Sequence, residues 1–275
     1  MLRFIRKIRQ SLLSENRFSK YLFYAIGEIL LVVIGILIAL QVNNWNEERK
    51  VQIEIQKLAM SLIQDLEKDM AMVEIIENQA QLFKTRLDSL TSYLRVRELS
   101  EVSNVEMYCL SFGMLYRPYT WHRSTVESLI NSNGLGKIKN DSISQKIIEY
   151  YSFTQHLDED FQQDYDEAEK VADLKSKIID KNFLNVNSLS IAMRSYTENG
   201  DYSGVKPFSF YTSKPYLKAE EEGLDIITDN PDDLKTFANL IMGLKGNLGI
   251  RIDIELPRLK RHASELSTLL RDSYE

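Results

Sequence analysis

Enzymes and metal proteins draw on a short list of side chains, and this chain holds few of them in working patterns. Its three histidines, His122, His156 and His262, lie in unrelated segments. They form no HExxH pair, the spacing that would put two imidazoles on one helix face. The lone cysteine, Cys109, excludes an intrachain disulfide and the Cys pairs of a zinc site. Its neighbours Met107, Tyr108 and Leu110 suit a buried thiol. There is no GxSxG elbow, no glycine-rich phosphate loop and no DxDxDG calcium loop. The acidic runs at Glu220–Glu222, at Asp229 with Asp232 and Asp233, and from Asp158 to Glu169 read as solvated helix faces. Trp121-His122-Arg123 gathers versatile side chains, but reads as a helix start. No catalytic residue, cofactor or metal is therefore expected, and the chain is not expected to be an enzyme.

One segment could cover a ligand. Residues 185–230 concentrate Gly200, Gly204, Gly223, Pro207 and Pro215 with the aromatics Tyr196, Tyr202, Phe208, Phe210, Tyr211 and Tyr216. That composition predicts short helical or extended pieces packed over a bundle. The sharper alternative is a lid, with Tyr202, Phe208, Phe210 and Tyr211 as its candidate residues.

The element that must position everything else is the apolar stretch 21–42. It has 22 residues, one charge, Glu28, and an unbroken apolar run from Ile29 to Leu40. As a helix it covers about 33 Å, enough for a hydrocarbon core of ~30 Å. The stretch reads as a transmembrane helix. Its apolar region is too long, and Ala39-Leu40-Gln41 too poor a cleavage site, for a removed signal peptide, so it reads as an uncleaved signal anchor. Tyr21, Tyr24 and Trp45 suit the interfacial belts.

Arg3, Arg6, Lys7, Arg9, Arg17 and Lys20 precede the span against Glu15, whereas Arg49, Lys50 and Lys57 follow it mixed with Glu47, Glu48 and Glu54. The positive-inside rule then places residues 1–20 in the cytoplasm and residues 43–275 across the membrane, periplasmic in a Gram-negative cell. Within the tail, residues 2–13 put Phe4, Ile5, Ile8 and Leu12 on one face, an amphipathic helix lying on membrane lipid. Within the span, Glu28, Gly35 and Ala39 share one face. Gly35-xxx-Ala39 permits close helix contact, which marks a candidate association face. The alternative is that Glu28 reaches the headgroups unaided.

The whole chain carries a net charge of −6, and its first 42 residues hold an excess of basic side chains. The remainder is thus acidic, which argues against nucleic acid. Beyond the membrane the pattern is helical. From 43 to 97 there is no proline or glycine, and Ile55, Ala59, Leu62, Leu66, Val73, Ile76, Ala80, Phe83, Leu87, Leu90 and Leu94 mostly keep a heptad rhythm, which reads as a long stalk helix. Asp69 falls where a seam residue is due, with Met70 as its substitute. Residues 104–133 read as two short helices, the second opened by a Ser124–Glu127 capping box and closed at Asn133-Gly134. Asp141 reads as the cap of a long helix over 142–183. Asp229 and Pro231 open a last helix over 231–273, weakened by Gly243, Gly246 and Gly249 and kinked or split at Pro257.

The run RKIRQSLLSENRFSKYLFYAIGEILLVVIGILIALQVNNWNEERK resembles the opening of an uncharacterised bacterial membrane family, a domain of unknown function. SLINSNGLGKIKNDSISQKIIEYYS, residues 128–152, resembles its second block through Leu129, Ser132, Gly134, Ile138, Asp141, Tyr150 and Tyr151. The resemblance implies a single-pass inner-membrane protein and brings no catalytic residue.

The expected fold is all-α: a transmembrane helix continuing into an elongated extracytoplasmic bundle. The expected role is an envelope interaction or scaffold protein, homo-oligomeric or docked on another envelope protein. The alternative is a periplasmic ligand sensor signalling through a membrane partner.

Overall fold

The computed structural model describes residues 17–115, 119–194 and 202–274. The proposed tail helix over 2–13, Tyr116 to Pro118, Tyr196 and Gly200 lie outside them, as do the side chains of Tyr21 and Tyr24. Every regular element among the described residues is helical. They fall into two units, divided between Lys57 and Leu58.

Helix α1, Arg17–Val96, runs through the expected span and stalk as one element. In the first unit it contains a stretch of mean hydropathy 2.6, long enough to cross a membrane. Ile29 to Leu40 are exposed there, as are Glu28, Gly35 and Ala39. No heavy atom lies within 4 Å of where a Gly35 Cβ would stand.

The second unit packs around the later part of α1. Leu62, Leu66, Val73, Ala80, Leu87 and Leu90 are buried at 0–1% exposure, and each large apolar side chain so buried stabilises by about 1.5–3 kcal/mol. Asp69, rather than Met70, holds the seam position between Leu66 and Val73. The reason lies in its polar partners, described below.

Short helices α2, Asn104–Leu110, and α3, Ser124–Asn131, precede the long α4, Asp141–Ile178. Three details of this region differ from the sequence expectation. The Ser124–Glu127 box does not form: Ser124 is already helical, Arg123 is the cap, and its side chain makes no capping bond. The left-handed residue after α3 is Asn133, at φ 52°, while Gly134 lies at φ −67°. Gly134 is required by space instead, because a Cβ there would meet Leu129 Cδ2 at 3.0 Å. Asn140, not Asp141, caps α4 by accepting from the Ser142 N–H at 3.0 Å.

Helix α4 also stops at Ile178, short of Phe183. Asn104 holds Asp180 outside the helix: its Nδ2 donates to the Asp180 carbonyl at 2.8 Å and its Oδ1 accepts from the Asp180 N–H at 2.9 Å. Two short helices follow, α5, Val186–Met193, and α6, Lys214–Glu222.

Helix α7, Pro231–Ile250, is capped by Asn230 rather than Asp229, since Asn230 accepts from the Asp232 N–H at 3.1 Å. Its three glycines do not break it. Pro257 does not split the chain either. A π-helical turn, Arg251–Glu255, joins α7 to α8, Leu256–Tyr274. In it the Leu256 N–H reaches back to the Arg251 carbonyl. The wider turn relieves the α-ladder where proline offers no N–H and its ring would strike the carbonyl four residues back. Helix α4 packs along α7 and α8, and α1 joins them through Asp88–Lys245, Glu77–Lys260 and Glu67–Arg271.

Candidate functional site

Two carboxylates one turn apart on α1 organise the segment before α3. Asp69 is 1% exposed. Its Oδ1 accepts from the His122 N–H at 3.1 Å and lies 2.8 Å from His122 Nδ1, and its Oδ2 accepts from Tyr150 OH at 2.7 Å. Asp65 accepts from Thr125 Oγ1 at 2.5 Å. Residues four apart share a helix face, so Asp65 and Asp69 clamp 122–125 together. Tyr119 OH, 2.8 Å from His122 Nδ1, extends the network. Burial and the neighbouring Asp69 push the Tyr119 hydroxyl up to about 12, and raise Tyr150 further.

The segment beside this clamp, through Tyr119, Trp121 and Arg123, forms one wall of a cavity of about 240 Å³. Tyr119 and Trp121 meet edge to face at 5.2 Å and 84°, an aromatic corner. Ile76, Leu157 and Leu256 supply apolar surface, with Phe161 beside them. At the rim, Asp158 accepts from the Trp121 indole N–H at 3.1 Å and pairs with Arg123 at 2.7 Å, while Arg123 Nε donates to Thr154 at 3.2 Å. Arg251, 3% exposed, brings a further charge to the lining.

Arg251 is also the hub of an acidic group beside the π-turn. It pairs with Asp164 at 3.1 Å and with Glu255, and Asp160 lies 3.9 Å away. Asn247 donates to Asp164 at 2.9 Å and to Glu167 at 3.0 Å. Burial, with Asp160 as a close carboxyl neighbour, pushes Glu255 up to about 7. Asp164 is raised as well, because desolvation outweighs Arg251. His156, Asp160 and Glu255 bring one donor atom each within 4.8 Å of one another, a set of the kind that holds a divalent cation. Here Arg251 already pairs with Glu255, one of the three, and lies 3.9 Å from Asp160.

Another buried basic side chain, Lys175, lies apart from both groups. Lys175 Nζ donates to the Ser111 carbonyl at 2.8 Å and sits 5.5 Å from the Tyr108 ring centroid. Burial lowers it to about 7, and pushes the nearby Cys109 thiol up to about 12.

The residues singled out from sequence fall elsewhere. Glu28, Gly35 and Ala39 lie exposed on α1. Of the aromatic segment, Phe210 is buried, 4.3 Å from Tyr211 and 5.5 Å from Tyr216 between ring centroids. Phe208 stacks on Tyr211 at 6.3 Å, Tyr211 OH donates to Glu106 at 2.7 Å, and Tyr202 OH accepts from Gln79 at 2.9 Å. The void beside Phe210 is about 20 Å³, room for about one water. Tyr119, Asp160, Arg251 and Glu255 were not distinguishable in sequence, because only the packing of α1, α4 and the π-turn gathers them. Asp69 did leave a signal: a carboxylate where the heptad rhythm calls for an apolar residue.

Comparison with curated proteins and with solved structures returns no match. Residues 28–196, more than half of the chain, match a family model described as a family of unknown function, DUF6090. The chain belongs to that family.

Proposed function

We propose that this chain is a single-pass membrane protein that displays its helical unit outside the cytoplasm, as an interaction or scaffold protein of the cell envelope. The observation that carries the reading is the apolar stretch of α1, whose side chains from Ile29 to Leu40 are exposed, a composition that lipid satisfies and water does not. The excess of Lys and Arg before the stretch supports a cytoplasmic N-terminus, and hence an inner-membrane location. Glu28, Gly35 and Ala39 form the face on which a second copy or an envelope partner packs, with Glu28 hydrogen-bonded across it. The reading is non-enzymatic: the Asp69–His122 pair serves to clamp a segment, its carboxylate shared with Tyr150 and a backbone N–H.

The association face is tested by Gly35→Leu. The bulkier side chain is expected to weaken self-association, or partner capture, in a membrane two-hybrid assay by several-fold. An unchanged signal from equally expressed protein removes the face.

The cavity at Trp121 favours a second reading, a membrane-anchored module that binds a small ligand outside the cytoplasm and signals through a membrane partner.

A further inference from the structure

We propose that the cavity between Trp121 and Leu256 binds a small neutral aromatic compound, its ring in the Tyr119–Trp121 corner. The inference rests on the ligand-binding reading above and gives it a ligand class.

Size sets the first limit. About 240 Å³ lies below the range of roughly 300–1,000 Å³ that holds drug-sized ligands, so the occupant is a single-ring compound. The walls select its body. The Tyr119 and Trp121 rings stand at 84°, so an inserted ring can lie flat against one and present its edge to the other, the two favoured aromatic geometries. Ile76, Leu157, Phe161 and Leu256 complete an apolar surface around that corner.

The pairing of the lining charges decides the charge of the ligand. Arg123 pairs with Asp158 at 2.7 Å, and both belong to the lining. Arg251 pairs with Asp164 at 3.1 Å and with Glu255, and Asp160 lies 3.9 Å away. The neutral donors are engaged too: the Trp121 indole N–H donates to Asp158 at 3.1 Å, and Tyr119 OH lies 2.8 Å from His122 Nδ1. Thr120 lines the cavity from an exposed position.

An anion entering this space would exchange its water for guanidiniums already matched by carboxylates, with Asp158 in the same lining. A cation would gain attraction from the aromatic corner but meet Arg123 and Arg251. Burying a charge without a partner of its own is costly, whereas a neutral ring gains by leaving water. The cavity therefore selects against ions of either sign.

The test uses the full chain in detergent micelles with Trp45→Phe, which leaves Trp121 as the single indole of the two in the chain. The probes are benzyl alcohol, the anion benzoate, the cation benzylammonium and the non-aromatic cyclohexylmethanol. Each is followed by Trp121 emission, excited where no probe absorbs. Benzyl alcohol is expected to give a saturable change, about tenfold tighter than either ion and several-fold tighter than cyclohexylmethanol. Ile76→Phe fills the cavity and is expected to abolish the saturable change, while partitioning of the probe into the micelle stays the same. Asp158→Asn keeps an acceptor for the indole N–H but removes the charge that matches Arg123. It is expected to tighten benzoate several-fold and to leave benzyl alcohol within about twofold.

Equal binding of benzyl alcohol and either ion overturns the neutral class but leaves a binding module. Equal binding of benzyl alcohol and cyclohexylmethanol overturns the aromatic assignment in the same way. A saturable change that survives Ile76→Phe, with circular dichroism unchanged, overturns the cavity as its place. Should that variant lose its helical signal, Asp158→Asn decides: benzoate no tighter than in the parent overturns the assignment. No saturable change with any probe overturns the ligand-binding reading too.

Discussion

Asp69→Ala is expected to lower the stability of the helical unit by about 3 kcal/mol, the largest effect of any single substitution considered on α1. The carboxylate accepts from a backbone N–H, an imidazole and a phenol, all at 3.1 Å or less, and is 1% exposed. Each hydrogen bond to a charged group contributes about 1.5–3 kcal/mol, and each buried partner left unsatisfied costs about 1–3 kcal/mol. Water entering the vacated space recovers part of that sum. For a unit of this size, about 3 kcal/mol lowers the Tm by roughly 6–12 °C. The Trp121 emission should shift to the red as the 119–123 segment loosens. The control is Glu67→Ala, two residues away but on an exposed pair with Arg271, which should change stability by less than about 1 kcal/mol. Denaturant unfolding in micelles measures both. A loss for Asp69→Ala no larger than the control would mean that the network does not hold the segment.

Glu255→Gln should act in the opposite direction, by an amount that grows as pH rises toward about 7 and is full above it. The folded-state pKa of Glu255 is about 7, raised above the ordinary glutamate value of about 4.3 by burial and by Asp160. The native state therefore holds a proton that the unfolded chain has released. The resulting stability is fully present below about pH 4.3 and is lost as pH rises through about 7. The amide of the variant would carry no charge at any pH, so that loss should disappear. The variant is expected to be more stable than the parent at pH 8 by about 1–3 kcal/mol, with the gap closing toward pH 5. Arg251 keeps an acceptor in the amide oxygen. Denaturant midpoints at pH 5 and pH 8 decide it. A variant equally destabilised at both would show that the Arg251–Glu255 ion pair is worth more than the burial of its charge.

Most of the helical architecture was legible in the sequence because it rests on repeating patterns. The heptad rhythm from Ala59 to Leu90 marks the buried face of α1, and Pro231 marks the start of α7. Details that depend on one alternative among chemically equal neighbours were not legible. Asn140 and Asp141 can both cap, as can Asp229 and Asn230, and only the backbone geometry selects the asparagine each time. Asn133 took the left-handed position from Gly134 because contact with Leu129 already commits the glycine. The early end of α4 depends on Asn104, 76 residues upstream of Asp180, a distance no local pattern spans.

The candidate site was less legible still. Trp121-His122-Arg123 stood out by residue type, yet its partners Asp69, Asp158 and Arg251 are contributed by three other elements. Asp158 and Asp160 sat within an acidic run that reads as a solvated face. Arg251 and Glu255 point inward because the π-turn adds a residue to the helical repeat, and Pro257 was the sole hint of it.

The central claim is that the apolar stretch of α1 crosses a membrane once and leaves the helical unit outside the cytoplasm. The most direct measurement is a reporter that is active only in the periplasm, fused after Glu275 and expressed in a Gram-negative host. An active reporter, on protein that resists alkaline extraction from membranes, is the predicted result. An inactive reporter on well-expressed, membrane-bound protein would contradict the orientation, and with it every reading that places the Trp121 cavity outside the cytoplasm.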